Sequence, residues 1–155
     1  MQERMNFSAT APEAYASLLG LYKYANTGTV SKQLAELIKV RVAQINGCAY
    51  CIEVHTKDAR KLGESESRLY ALAAWKESPA FEDAERAVLA LTDAVTLIAQ
   101  DGVSEAVWQD VASHFSDREV ADILHTIITI NAFTRLAVST GMVAGQSKPV
   151  IAKPA

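Results

Sequence analysis

The sequence is poor in cysteine, with two residues in 155. That excludes a small secreted scaffold stapled by several bridges. It has no apolar run long enough to cross a membrane. Its first residues, Met1-Gln2-Glu3-Arg4-Met5, carry no apolar leader core, so no secretory signal is expected and the expected location is the cytosol. Neither sign of charge dominates: 15 basic residues stand against 18 acidic ones, net −3, with the basic residues scattered. No surface for nucleic acid or anionic membrane is expected from that balance. There is no glycine-rich phosphate loop and no Gly-x-Ser-x-Gly, hence no motif for a flavin or nicotinamide cofactor. Repeats, low-complexity runs and a domain linker are missing too. The expectation is one domain over residues 1–145, followed by a disordered tail from Gln146 that contains Pro149 and Pro154.

What remains is an ordinary globular composition, half hydrophobic, written almost wholly in helical periods. Residues 1–10 read as an extended arm. Thr10, ahead of Pro12, caps a helix to about Asn26. Ser31 caps a second helix to about Ile45, and a third runs from Cys48 to about Leu62, stopped by Gly63. Ser65 caps a short fourth helix to Trp75. A fifth runs from about Phe81 to Gln100, and Ser104 opens a sixth. Ser116 and Glu119 form a capping box for a seventh that reaches about Thr140 and stops at Gly141. Its middle, Ile123 to Ile130, is apolar nearly all round, which predicts a central helix or one covered again by a partner subunit. A strand over Ile127–Ile130 is disfavoured by that capping box and by the length of the pattern. The fold class is all-α, about seven helices.

Chemistry concentrates in Asn46-Gly47-Cys48-Ala49-Tyr50-Cys51-Ile52-Glu53-Val54-His55. On a helix, Cys48, Cys51, Ile52, His55, Ala59 and Leu62 share one face, while Glu53, Lys57, Arg60 and Lys61 share the other. A dithiol and an imidazole are therefore aimed inward. Asn46-Gly47 is a turn, so Cys48 lies nearest a helix N-terminus, whose free N–H groups and dipole favour thiolate. His55, one turn beyond Cys51, is placed to exchange a proton with it. On these grounds alone Cys48 is the lower-pKa thiol. Covalent haem would need His directly after the second Cys, where Ile52 stands. Cys48, Cys51 and His55 make three zinc ligands, but a closed structural site takes four and no other Cys-x-x-Cys or His-x3-His supplies one. An inert buried pair is the plain alternative, though chance rarely adds a histidine on the same face. The thioredoxin use of this motif expects a βαβ setting that the chain does not have.

Other polar residues carry weaker signals. Glu36 lies opposite the stripe Leu34, Leu37, Ile38, Val42 and Ile45, and on pattern alone is a solvated carboxylate. Yet Val40 and Ala43 flank it. If the helix is covered on both faces, Glu36 needs a partner, and the Asn46-Gly47 turn would let it face the dithiol. Tyr50 points away from the cysteine face of a regular helix, although its hydroxyl is a possible donor to a substrate oxygen. His114 reads as a surface or capping residue and His125 as a satisfied core or interface histidine. Asn131 and Arg135, four apart on the apolar helix, read as structural.

Glu36, Cys48, Cys51 and His55 at this spacing, in an all-helical chain, resemble the alkyl hydroperoxidase D family, within the carboxymuconolactone decarboxylase-like superfamily. The segments Leu37–Cys51, Leu69–Trp75 and Ile130–Ala137 are similar to its peroxidase-related members, and the likeness spans about residues 10–145. The resemblance implies an antioxidant thiol peroxidase acting on hydrogen peroxide or organic hydroperoxides. It implies that Cys51 attacks the peroxide, that Cys48 resolves the sulfenic acid, and that Glu36 and His55 relay the proton. The conflict over which cysteine is the nucleophile resolves toward Cys51, the thiol that Glu36 and His55 serve. It implies further a trimer or hexamer, and electrons from a lipoyl or other dithiol, a thioredoxin-like protein or a small thiol, with no cofactor and no metal. Tyr50 departs from the best-known peroxidases, which carry a second histidine there. A dithiol sensor, or a reductase of a partner protein's disulfide, is the alternative role.

Overall fold

The computed structural model describes residues 2–145, so the expected tail from Gln146 lies outside the described residues. Those residues hold eight α-helices and no strand. They are α1 (Phe7–Thr10), α2 (Pro12–Ala25), α3 (Lys32–Ile45), α4 (Ala49–Lys61), α5 (Glu66–Ala71), α6 (Asp83–Thr96), α7 (Glu105–His114) and α8 (Asp117–Thr140). No helix among the described residues is long and apolar enough to cross a membrane.

Most helix starts are local chemistry. Ser31, Ser65, Ser104 and Ser116 each accept an N–H of the first turn, and Glu119 completes the box at α8. The arm expected over residues 1–10 instead contains α1, because the Asn6 side chain accepts the Ala9 N–H and nucleates a turn. Thr10 consequently closes α1, and Ala11 precedes α2 without a side-chain cap. The short fourth helix breaks at Ala74 (φ −122°, ψ 38°) and finishes as a 3-10 helix over Leu72–Glu77. The fifth expected helix, here α6, ends at Thr96 rather than near Gln100. Leu97 and Ile98 are exposed, so no burial holds another turn.

Two helices organise the packing. α3 sends side chains into all three apolar clusters: Ile38 and Val42 into one with α6, α7 and α8; Leu37 and Val40 into one with α4, α5 and the 3-10 helix; Ala43 into one with Cys48, Cys51 and Ala137. Each fully buried large side chain contributes about 1.5–3 kcal/mol. Eight of its fourteen residues are buried, Glu36 and Lys39 among them. α8 packs on α2, α3, α6 and α7, with Ile123, Ile127 and Ile130 inward and Ile128 and Val138 left exposed.

The α2–α3 loop is pinned to α8 by Asp122. Its carboxylate accepts from the Thr29 N–H (2.9 Å), the Thr29 hydroxyl (3.0 Å), the Tyr24 hydroxyl (3.0 Å) and Arg118 Nε (3.2 Å). Gly28 lets the loop close, since a Cβ there would lie 3.0 Å from the carboxyl carbon. The Thr29 backbone N–H is the main cause holding this carboxyl far below the usual carboxylate range, and the other three donors add to it. A depressed carboxylate stabilises the fold above its unfolded pKa of about 3.9 and loses that contribution as pH falls. Asp122→Asn is therefore expected to cost about 2–3 kcal/mol at neutral pH. The difference from wild type should shrink below about pH 4, read by urea denaturation across pH.

Candidate active site at the dithiol

The site begins at the α3–α4 turn. Gly47 (φ 64°) makes the left-handed turn, and Cys48 becomes the N-cap of α4. Its Sγ accepts the Cys51 N–H at 3.2 Å. Cys48 and Cys51 are paired as a disulfide with Cα atoms 5.3 Å apart, inside the ordinary span. The turn is tied to α8: Asn46 Nδ2 donates to Asn131 Oδ1 and to Thr134 Oγ1, both at 2.9 Å. Asn131 also donates to Thr96 Oγ1 (3.1 Å) and accepts from Arg135 (2.6 Å), the structural role expected of this pair. His125, as expected, is satisfied, with Nε2 2.9 Å from the Leu21 carbonyl oxygen. His114 lies at the C-terminal end of α7, 3.8 Å from Asp110.

The four residues singled out by spacing come together. Cys48 (2 % exposed), Cys51 (4 %), His55 (5 %) and Glu36 (6 %) are all buried. His55 Nδ1 donates to Glu36 Oε2 at 2.8 Å, which leaves Nε2 as the nitrogen available to the dithiol. The pattern-only view of Glu36 as solvated is overturned, because α3 is covered on both faces. Its other oxygen takes a residue that sequence reasoning passed over. Lys39, 1 % exposed, donates Nζ to Glu36 Oε1 at 2.7 Å. A signal for it existed: Lys39 is one turn from Glu36 on a helix with two apolar faces, where a lysine needs an anion. Burial alone pushes the Glu36 carboxyl up. The hydrogen bond and charge of His55, then Lys39, outweigh burial and leave it below the usual range.

A narrow cavity of about 40 Å³ opens beside Cys51. Cys51, His55 and Val54 form its floor, α8 contributes Phe133, and α2 contributes Tyr15 and Tyr22. Cys48 is not among its lining residues. Tyr50 is, which corrects the expectation that it points away. It packs against the Cys48–Cys51–Ala137 cluster in the first turn of α4, half-buried. Burial, followed by the neighbouring Tyr15, Glu53 and Glu3, raises the Tyr50 phenol above its usual pKa. Tyr15 and Tyr22 were legible only as helix-face core residues. Among the described residues no cluster of three or more His, Cys, Asp or Glu is arranged to hold a metal ion.

The sequence profile of the carboxymuconolactone decarboxylase family matches residues 12–94, more than half of the chain. The chain belongs to that family. Within it the fold is AhpD-like, by likeness to a solved structure. A protein of unknown function from Agrobacterium tumefaciens, suggested to be the antioxidant defence protein AhpD, superposes with a TM-score of 0.91 at 34 % identity, covering 94 % of this chain and all of that one. The uncharacterised protein YdfG of Bacillus subtilis (strain 168) is 36 % identical over 141 residues, 91 % of this chain and 96 % of its own. The debrominase Bmp8 has the same fold (TM-score 0.79, 18 % identity, 89 % of this chain and 74 % of that one). At that identity the likeness speaks of fold alone.

The Glu36–Lys39 pair has a consequence for stability. Glu36→Gln would leave a buried ammonium without its anion, at a cost of about 3–5 kcal/mol near neutral pH. A carboxylate lowered in the fold contributes above its unfolded pKa of about 4.3 and loses that contribution as pH falls. The gap between Glu36→Gln and wild type, followed by chemical denaturation, should therefore narrow below about pH 4.

Proposed function

We propose that the protein is a thiol-dependent peroxidase that reduces organic hydroperoxides through its Cys48–Cys51 dithiol. One observation supports the reading: Cys51 and His55 together line an apolar cavity, and Cys48 is not among its lining residues. Cys51 is thus the sulfur beside the cavity, as suits the nucleophile of the pair. His55 takes the Cys51 proton. The Cys51 thiolate attacks a peroxide oxygen, the O–O bond breaks, and His55 returns the proton to the leaving alkoxide. The products are ROH and Cys51 sulfenic acid. The Cys48 thiol then attacks Cys51 sulfur, forming the disulfide and releasing water. An external dithiol restores both thiols by exchange and leaves as its own disulfide. In that exchange an external thiolate attacks Cys51 sulfur from the cavity, the Cys48–Cys51 bond breaks, and Cys48 leaves as the thiolate that the Cys51 N–H stabilises. The second external thiol then displaces Cys51.

The apolar lining favours an organic hydroperoxide over hydrogen peroxide. Burial of both sulfurs favours a slender reductant, such as a lipoyl arm or small dithiol, over a bulky one, although a thioredoxin-like protein that opens the site remains within the reading. The expected setting is cytosolic, and the exposed Ile128 and Val138 on α8 suit a homo-oligomer. The antioxidant assignment suggested for the Agrobacterium protein agrees with this reading. The debromination in the name of Bmp8 marks the competing use of the fold.

The test is stopped-flow oxidation of the reduced protein by cumene hydroperoxide, with mass spectrometry of the product. A fast loss of two hydrogens that links Cys48 to Cys51 is the expected result. Cys51→Ser should abolish peroxide consumption, and His55→Ala should raise the Cys51 pKa. Normal turnover in Cys51→Ser would remove Cys51 as nucleophile. A disulfide that forms without turnover would favour the sensing role.

A further inference from the structure

Lys39 is a buried charged group beside the site that the reaction above leaves unused. At 1 % exposed it is the largest of the fully buried side chains. Its Nζ meets Glu36 Oε1 at 2.7 Å and Asn26 Oδ1, at the C-cap of α2, at 3.2 Å, and lies 5.1 Å from the centre of the Tyr22 ring. An ammonium in such a place is costly unless an anion faces it. Glu36 is that anion, and its two oxygens are divided: one for Lys39, one for His55.

We infer that Lys39 is a positioning residue that keeps Glu36 a permanent carboxylate, so that the proton taken from Cys51 rests on His55 and is not passed on to Glu36. The inference rests on the dithiol reading above. It changes the part given to Glu36, which becomes the orienter and counter-ion of an imidazolium, as the buried carboxylate does in a Ser-His-Asp triad. The balance closes without a proton on Glu36. Cys51 thiol and neutral His55 become thiolate and imidazolium, and the imidazolium later gives the same proton to the alkoxide. Without Lys39, burial would draw that proton to Glu36, His55 would return to neutral, and the Cys51 thiolate would lose its positive neighbour.

Other charged and titratable groups face this cluster from each helix packed on it. α4 supplies His55 and, further out, Lys61. α2 supplies Tyr22, whose phenol is pushed up to about 12 by burial first and the Glu36 charge second, and which therefore stays neutral. Asp58 of α4 acts on Tyr22. Lys32, from the start of α3, shares a small cavity with Glu36 on the side away from the dithiol. Apart from His55, which bonds the other oxygen, none of these donates a hydrogen bond to Glu36.

The experiment uses reduced full-length protein and no peroxide, so its outcome is separate from that of the peroxidase reading. Glutamate side-chain carboxyl signals are followed by carbon-13 NMR from about pH 5 to about pH 9, the Glu36 signal being assigned by through-bond correlation to its own backbone. Cys51 is followed in parallel by its alkylation rate with iodoacetamide. The expected result is a Glu36 signal that stays ionised throughout the range in which Cys51 titrates. A Glu36 signal that titrates in step with Cys51 would overturn the inference in wild type alone, whether or not any variant folds. In Lys39→Met, Glu36 should take up a proton near neutral pH, and Cys51 alkylation at pH 7 should fall about tenfold, one pKa unit. A folded Lys39→Met with both profiles unchanged would leave Lys39 a packing residue and end the proposal.

Discussion

A carboxylate held between an ammonium and an imidazole inside the bundle is the interaction on which the rest depends. Glu36 sits on a helix covered on both faces, where water does not reach to solvate it. A charge there survives only with partners of opposite sign and with its lone pairs used. Lys39 provides the opposite charge from one turn along the same helix, and His55 takes the second oxygen. The fold supplies that imidazole through a single short turn. Asn46-Gly47 reverses the chain between α3 and α4, so residues nineteen apart in sequence come within 2.8 Å. A looser turn would separate the imidazole from the carboxylate and leave Glu36 with Lys39 of its own helix as its one partner.

The same turn sets the two cysteines apart. As N-cap, Cys48 takes an N–H of its own helix and is not among the cavity's lining residues, while Cys51, one turn in, lines it with His55. Asn46 fixes that geometry by bonding Asn131 and Thr134 of α8. The helix that forms one cavity wall thereby also anchors the turn that aims the sulfur. Phe133 of α8 holds Tyr15 and Tyr22 of α2 edge-on, with ring centroids 6.4 and 5.7 Å away, so the wall opposite the dithiol is built from aromatic contacts rather than from the dithiol's own helix.

What the sequence made legible was local. Serine caps, the Glu119 box and the Gly141 stop depend on neighbours within four residues, and all stand where the pattern put them. The shared face of Cys48, Cys51 and His55 is likewise a property of one helix. The family spacing added Glu36, which periodicity by itself would have turned to solvent. The parts that stayed hidden need knowledge of what covers α3. Lys39 is unremarkable until both faces of that helix are known to be buried. Tyr15 and Tyr22 read as core because they are core, and only the placement of α2 against α8 makes them walls. The break at Ala74 has no proline or glycine to announce it.

Tyr50 bears on how such a site works with one histidine instead of two. A second imidazole between the cysteines would add a group able to accept a proton near neutral pH. A phenol raised above its usual pKa does not accept one. It remains a neutral O–H across the working range and acts only as a hydrogen-bond donor or acceptor. On the proposed peroxidase reading, proton transfer to and from the dithiol would then fall to His55 alone. A phenol that lines the cavity with Tyr15 and Cys51 would, on that reading, suit an oxygen gaining negative charge as an O–O bond breaks. On the peroxidase reading proposed above, Tyr50 in place of a second histidine would shorten the proton path to one imidazole and its carboxylate, with a neutral phenol among the residues lining the cavity.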